Sequence, residues 1–137
     1  MKAILTGLLM SATLAAAPLY AQTPTPEGAR AYIISPQDGD TVPQTFTVRF
    51  GLSGMGVAPA GTDREGTGHH HLLIDRDELP EAGKAMDASV MHFGAGQTET
   101  ELTLPPGRHS LQLLLGDMNH VPHDPPVVSE KITVTVE

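Results

Sequence analysis

Gly66-Thr67-Gly68-His69-His70-His71-Leu72-Leu73-Ile74-Asp75 joins three consecutive histidines to an apolar run. His71 to Ile74 is mostly apolar and partly β-branched, which is the pattern of a central strand packed on both faces. The histidines stand where a glycine-rich loop ends and this strand begins, so one stretch belongs both to the core and to a candidate site. An affinity tag is excluded by position, because tags sit at termini and do not run into a strand. The plain alternative is a histidine group that only hydrogen-bonds loop backbone.

Outward from this strand, the chain offers short alternating segments and turns. Ala29 to Ser35 reads as a strand closed by Pro36-Gln37-Asp38-Gly39-Asp40, where proline presets φ and Asp-Gly tolerates left-handed backbone. Thr45 to Leu52 alternates, with Phe46, Val48, Phe50 and Leu52 inward. Ser53 to Gly68 is a long glycine-rich connection, a kind more often functional than incidental. Val90 to Phe93 reads as a short strand, Gln97 to Leu104 as another, and Pro105-Pro106-Gly107 as a turn. Arg108 to Leu115 puts His109, Leu111, Leu113 and Leu115 on one face, and Val127 to Val136 closes the chain with Ile132, Val134 and Val136 together. With no long helical period, these segments predict an all-β, immunoglobulin-like antiparallel β-sandwich of about seven strands.

The start of the chain predicts export. Lys2 precedes an apolar Leu/Ala stretch to Ala17, and Pro18-Leu19-Tyr20-Ala21 leads to Gln22, so residues 1–21 read as a signal peptide. Residues 22–28 read as a mobile Pro/Thr linker and 29–137 as the domain, in the periplasm or secreted. No later stretch could span a membrane as a helix, which takes about 20 apolar residues. The net charge of −8 repels nucleic acid and anionic lipid and suits cations. No cysteine is present, which excludes disulfides, thiolate metal sites and a blue-copper centre.

Histidine is the abundant functional residue. In an immunoglobulin-like sandwich the connections after the second, fourth and sixth strands gather at one end. His69, His70 and His71 follow the first of these, His92 precedes the second, and His120 and His123 lie in the third. His109 opens a strand at the opposite end and stands apart as a packing residue. Imidazole suits copper and zinc. The segment Gly116 to Pro126 carries three prolines, which stiffen His120 and His123, and Met118, a soft thioether for copper(I). Asp117 and Asp124 could orient imidazoles. The segment reads as solvent-facing and free of core residues. The expected ligand set is therefore His69, His70, His71, His92, His120, His123 and Met118, for copper before zinc, in a carrier, buffer or sensor. No G-x-S-x-G or H-E-x-x-H is present, so the expectation is a binding protein and not an enzyme. The competing class is a module that contacts another envelope protein without a metal.

Three segments carry a family resemblance: Gly68-His69-His70-His71-Leu72-Leu73-Ile74-Asp75, His92 to Asp117, and Asn119 to Val136. They closely resemble the bacterial domain of unknown function 4399, a likeness spanning Tyr32 to the C-terminus. The resemblance implies export and fold, and no settled activity. A looser similarity, in the Ser35-Pro36-Gln37-Asp38-Gly39 opening and a histidine in the last loop, is to periplasmic copper-resistance carriers. Those also use a histidine at the mature N-terminus, where this chain has Gln22.

Overall fold

The computed structural model describes residues 21–137. The expected signal peptide lies outside the described residues except for Ala21. Nine strands form: β1 (Arg30–Ser35), β2 (Thr41–Val42), β3 (Thr45–Ser53), β4 (Gly56–Val57), β5 (Thr67–Ile74), β6 (Met91–His92), β7 (Glu99–Thr103), β8 (Gly107–Gly116) and β9 (Ile132–Val136). One sheet has the order β1-β3-β7; the other runs β2-β9-β8-β5-β4, with β6 also on β5. The domain is an all-β sandwich with the immunoglobulin-like division of strands, including a parallel β2–β9 pairing at one edge. Among the described residues it has two more than the expected seven strands, the two-residue fragments β2 and β4. Among the described residues no helix is long and apolar enough to cross a membrane.

Alternation builds the core. Phe46, Val48 and Phe50 of β3 meet Leu111, Leu113 and Leu115 of β8, Ile132, Val134 and Val136 of β9, and Leu72 of β5 in one buried cluster. Each such side chain stabilises the fold by about 1.5–3 kcal/mol when fully buried. A second, smaller cluster lies on the outer face of the larger sheet, where Leu73 and Leu114 pack with Val90, Met86 and Val128. The connection between β5 and β6 folds back over this face, which is why β5 is buried on both faces from Gly68 to Leu73.

Three sequence expectations change. The fourth strand shrinks to β6 and lies on the edge of β5, with His71 opposite His92, instead of joining the sheet of β7. The last strand begins only at Ile132. Val127 and Ser129 still bond to Leu115 and Leu113 of β8, and Ser129 Oγ accepts the Leu113 N–H at 2.8 Å. The chain leaves the ladder at Glu130–Lys131. Finally, residues 22–28 are not a free linker. Thr25 N–H donates to Asp124 O and Asp124 N–H to Thr23 O, both at 3.0 Å, so this segment is strapped alongside the β8–β9 connection.

Candidate metal site

Side chains alternate across a strand, and β5 divides its three histidines accordingly. His70 faces the core with Leu72, its ring 5.2 Å from that of Phe50. His69 and His71 face outward with Leu73, their ring centroids 4.7 Å apart. The β5–β6 register sets His92 directly across from His71, 5.3 Å between centroids. His120 arrives from the β8–β9 connection, with its ring 5.0 Å from His69 and 4.6 Å from His92. One ring nitrogen from each of His69, His71, His92 and His120 lies within 4.8 Å of every other.

The loop carrying His120 is fixed by a buried carboxylate. Asp117 Oδ1 accepts the N–H groups of Asn119 (2.8 Å) and Val121 (3.0 Å). Its Oδ2 accepts the Thr23 hydroxyl at 2.7 Å. Asp117 thus holds backbone and the N-terminal strap; it does not hydrogen-bond an imidazole. His120 itself has φ of 63°, the left-handed region that disfavours side-chain-bearing residues. Flanking bonds hold it there: His120 N–H to Asp117 O, and Met86 N–H to His120 O, both 2.9 Å.

Two glycines leave room for the rings. A Cβ on Gly116, the residue opposite His69, would stand 2.6 Å from His71 Cε1. A Cβ on Gly94 would stand 2.3 Å from His92 Cε1. Beside the four imidazoles a cavity of about 280 Å³ opens to solvent, lined by His71, His92, His120, Met86, Asp87 and Ala88.

The two buried rings, His69 and His71, are held neutral. Burial, then the neighbouring His120 and His92, lowers His69 to about 4, against an opposing pull from Asp117. Burial, then His69, His92 and His120, lowers His71 to about 3. His120 is also lowered, by burial and then His92. His69 Nε2 and His120 Nδ1 share one hydrogen at 3.0 Å, while Nδ1 of His69 and of His71 is buried with no partner. A buried, unpaired polar nitrogen costs about 1–3 kcal/mol. Four imidazoles with no carboxylate among them form a group that could hold a single cation.

One comparison with known proteins shows the family. The family model "Domain of unknown function (DUF4399)" matches residues 48–137, which include all four clustered histidines. The chain belongs to the DUF4399 family. No curated protein and no solved structure matches it.

The remaining expected ligands of this DUF4399 domain lie elsewhere. His70 is fully buried on the core side with neither ring nitrogen partnered. His123 is also buried and unpartnered; its Cε1 lies 3.0 Å from where a Gly68 Cβ would stand, and Gly68 faces the same side as His70. Met118 is partly exposed and lines a different cavity, with Thr62 to Glu65. The β8–β9 connection is not free of core residues: Val121 is fully buried and Asp117 and His123 nearly so. Asp124 is exposed and engages the strap through its backbone. His109, expected to stand apart, does, and it is more than a packing residue. Its Nδ1 is 2.7 Å from Asp75 Oδ2 and its Nε2 2.8 Å from Pro105 O.

Sequence reasoning missed Met86, which reads as one more polar-loop residue, and the space-making role of Gly94 and Gly116. The strand alternation through His69-His70-His71 was a signal that could have separated His70 from its neighbours.

Proposed function

We propose that this DUF4399 chain is an exported domain, periplasmic or secreted, that binds one transition-metal ion through His69, His71, His92 and His120, copper before zinc, as a carrier, buffer or sensor. The observation that carries this reading is the convergence of four imidazoles from three separated segments, each with a nitrogen within 4.8 Å of the rest. Imidazoles without carboxylates disfavour calcium and magnesium, and among first-row divalent ions copper binds nitrogen donors most tightly. Metal–nitrogen bonds of about 2.0–2.1 Å put tetrahedral ligands about 3.3 Å apart. The 3.0 Å between His69 and His120 is already close to that. His92 is exposed and His120 half-buried, so these two can swing inward while buried His69 and His71 stay fixed. Four ring nitrogens complete a four-coordinate ion, whereas catalytic zinc keeps a position open; this favours holding a metal over catalysis. The exposed side of the cluster gives an ion a way in and out, as transfer requires. Residues 1–21 support export by their composition alone.

The test is competition titration of untagged protein beginning at Gln22 with copper and zinc against a chromophoric chelator. One ion per chain is expected. The double variant His92→Ala, His120→Asn should bind at least about a hundredfold more weakly. Asparagine suits the left-handed backbone, and with His92 exposed and His120 half-buried stability should hold to within about 1 kcal/mol. An untagged parent without saturable binding would end this reading and return the domain to the class of metal-free interaction modules.

A further inference from the structure

Met86 stands at the mouth of the histidine cavity with His71, His92 and His120. Its methyl Cε is 3.0 Å from where a Gly116 Cβ would stand, and His71 Nδ1 is 3.1 Å from the same point, so thioether and imidazole are neighbours across the glycine. That Nδ1 is buried and unpartnered. The backbone of Met86 is tied to His120 O at 2.9 Å, and its side chain packs partly against Leu73, Val90 and Leu114. It is therefore held at the rim, one side on the apolar cluster and the other on the cavity. The remaining methionines among the described residues are placed differently. Met55 packs at the main core. Met91 is opposite Leu72, on the other face from His92. Met118 lines another cavity.

We propose that Met86 is the soft donor of this site, its sulfur taking the place of one imidazole when the ion is copper(I), and that it sets the preference for copper(I) over zinc(II). The inference rests on the histidine-cluster reading above. Thioether sulfur selects copper(I), and in a chain without cysteine methionine is the one soft side chain available. Charge points the same way. Imidazole and thioether donors carry no negative charge, the Asp87 carboxylate in the cavity wall accepts the Ser89 N–H at 2.9 Å, and a partly buried site with no anionic ligand accepts a monovalent ion at less desolvation cost than a divalent one.

The experiment compares the untagged parent, Met86→Leu and Met86→Cys by chelator competition with copper(I) under reducing, oxygen-free conditions, and with zinc(II). X-ray absorption of the copper(I) forms accompanies it. Met86→Leu keeps the volume and the packing on Leu73. Its copper(I) affinity should fall at least about tenfold and its zinc(II) affinity stay within about twofold. Met86→Cys should restore copper(I) binding, and the parent's copper(I) spectrum should contain one sulfur scatterer. If the parent binds copper(I) with nitrogen donors alone and Met86→Leu binds it equally well, the role of Met86 is overturned while the histidine cluster stands. If the parent binds neither ion, both readings fall.

Discussion

His109 and the four clustered histidines sit at opposite ends of the paired strands β5 and β8, and the two ends treat imidazole in opposite ways. At the β8 start, both nitrogens of His109 face groups that can only accept, the Asp75 carboxylate and the Pro105 carbonyl. Both are satisfied when both nitrogens carry hydrogen, so the surroundings favour the imidazolium form. Its pKa is raised, by the hydrogen bond to Asp75 and then by Pro105. At the other end His69 and His71 are pushed down by burial and then by neighbouring imidazoles, His120 and His92 for His69 and His69, His92 and His120 for His71, and each leaves Nδ1 unpaired. One end is satisfied as built; the other leaves buried nitrogens unpaired. That contrast separates a histidine used for folding from histidines available to a ligand, and proximity to a strand end alone does not make it.

The contrast breaks first at the glycine beside the cluster. Gly116→Ala puts a methyl into the space of the His71 ring and should weaken metal binding by about tenfold or more, since a displaced ligand loses its place in the coordination set. His109→Ala should leave metal affinity unchanged in the same titration. An unaffected Gly116→Ala would mean that His71 is not a ligand.

Acid should sharpen it next. The unfolded chain protonates His69 and His71 near 6.5, whereas the folded one holds them neutral to about 4 and about 3. The unfolded state then binds more protons, so stability of the metal-free domain falls as pH drops from about 6.5 toward 4, by up to about 1.4 kcal/mol per pH unit for each group. Thermal melts across that window check it. His70 is also lowered to about 4, by burial, and has no partner to lose. His70→Leu should therefore melt at or above the parent, with the gain largest near pH 5, and bind metal as the parent does.

The smallest effect belongs to His109. A raised pKa means that its contribution is fully present below about 6.5 and is lost as pH rises through the folded value. His109→Ala should lower the melting temperature by a few degrees near pH 6, about what 1 kcal/mol does in a domain of this size. That difference should shrink at alkaline pH. A difference that grows with pH would contradict the imidazolium assignment.

Much of this was legible in the sequence because alternation is local. Phe46, Val48 and Phe50, and Leu111, Leu113 and Leu115, announce their faces by period two, and they are the core. The gathering of His69, His71, His92 and His120 followed from strand order alone. What did not follow depends on register and on space. Three adjacent histidines look like one ligand set until the strand sends His70 inward. The placing of Met86 beside the cluster, with Met118 at another cavity, depends on a loop folding back over the outer face. The core role of Val121 and His123 comes from Asp117 pulling its loop inward, with Thr23, nearly a hundred residues away in sequence, closing the bond.

The central claim is that four of the seven histidines form one site. It is tested most directly by following all seven imidazoles by ¹H–¹⁵N NMR as the untagged protein is titrated with diamagnetic zinc. The resonances of His69, His71, His92 and His120 should change together and saturate at one equivalent, while those of His70, His109 and His123 hold still. Changes centred on His70 and His123, or changes that never saturate, would contradict it.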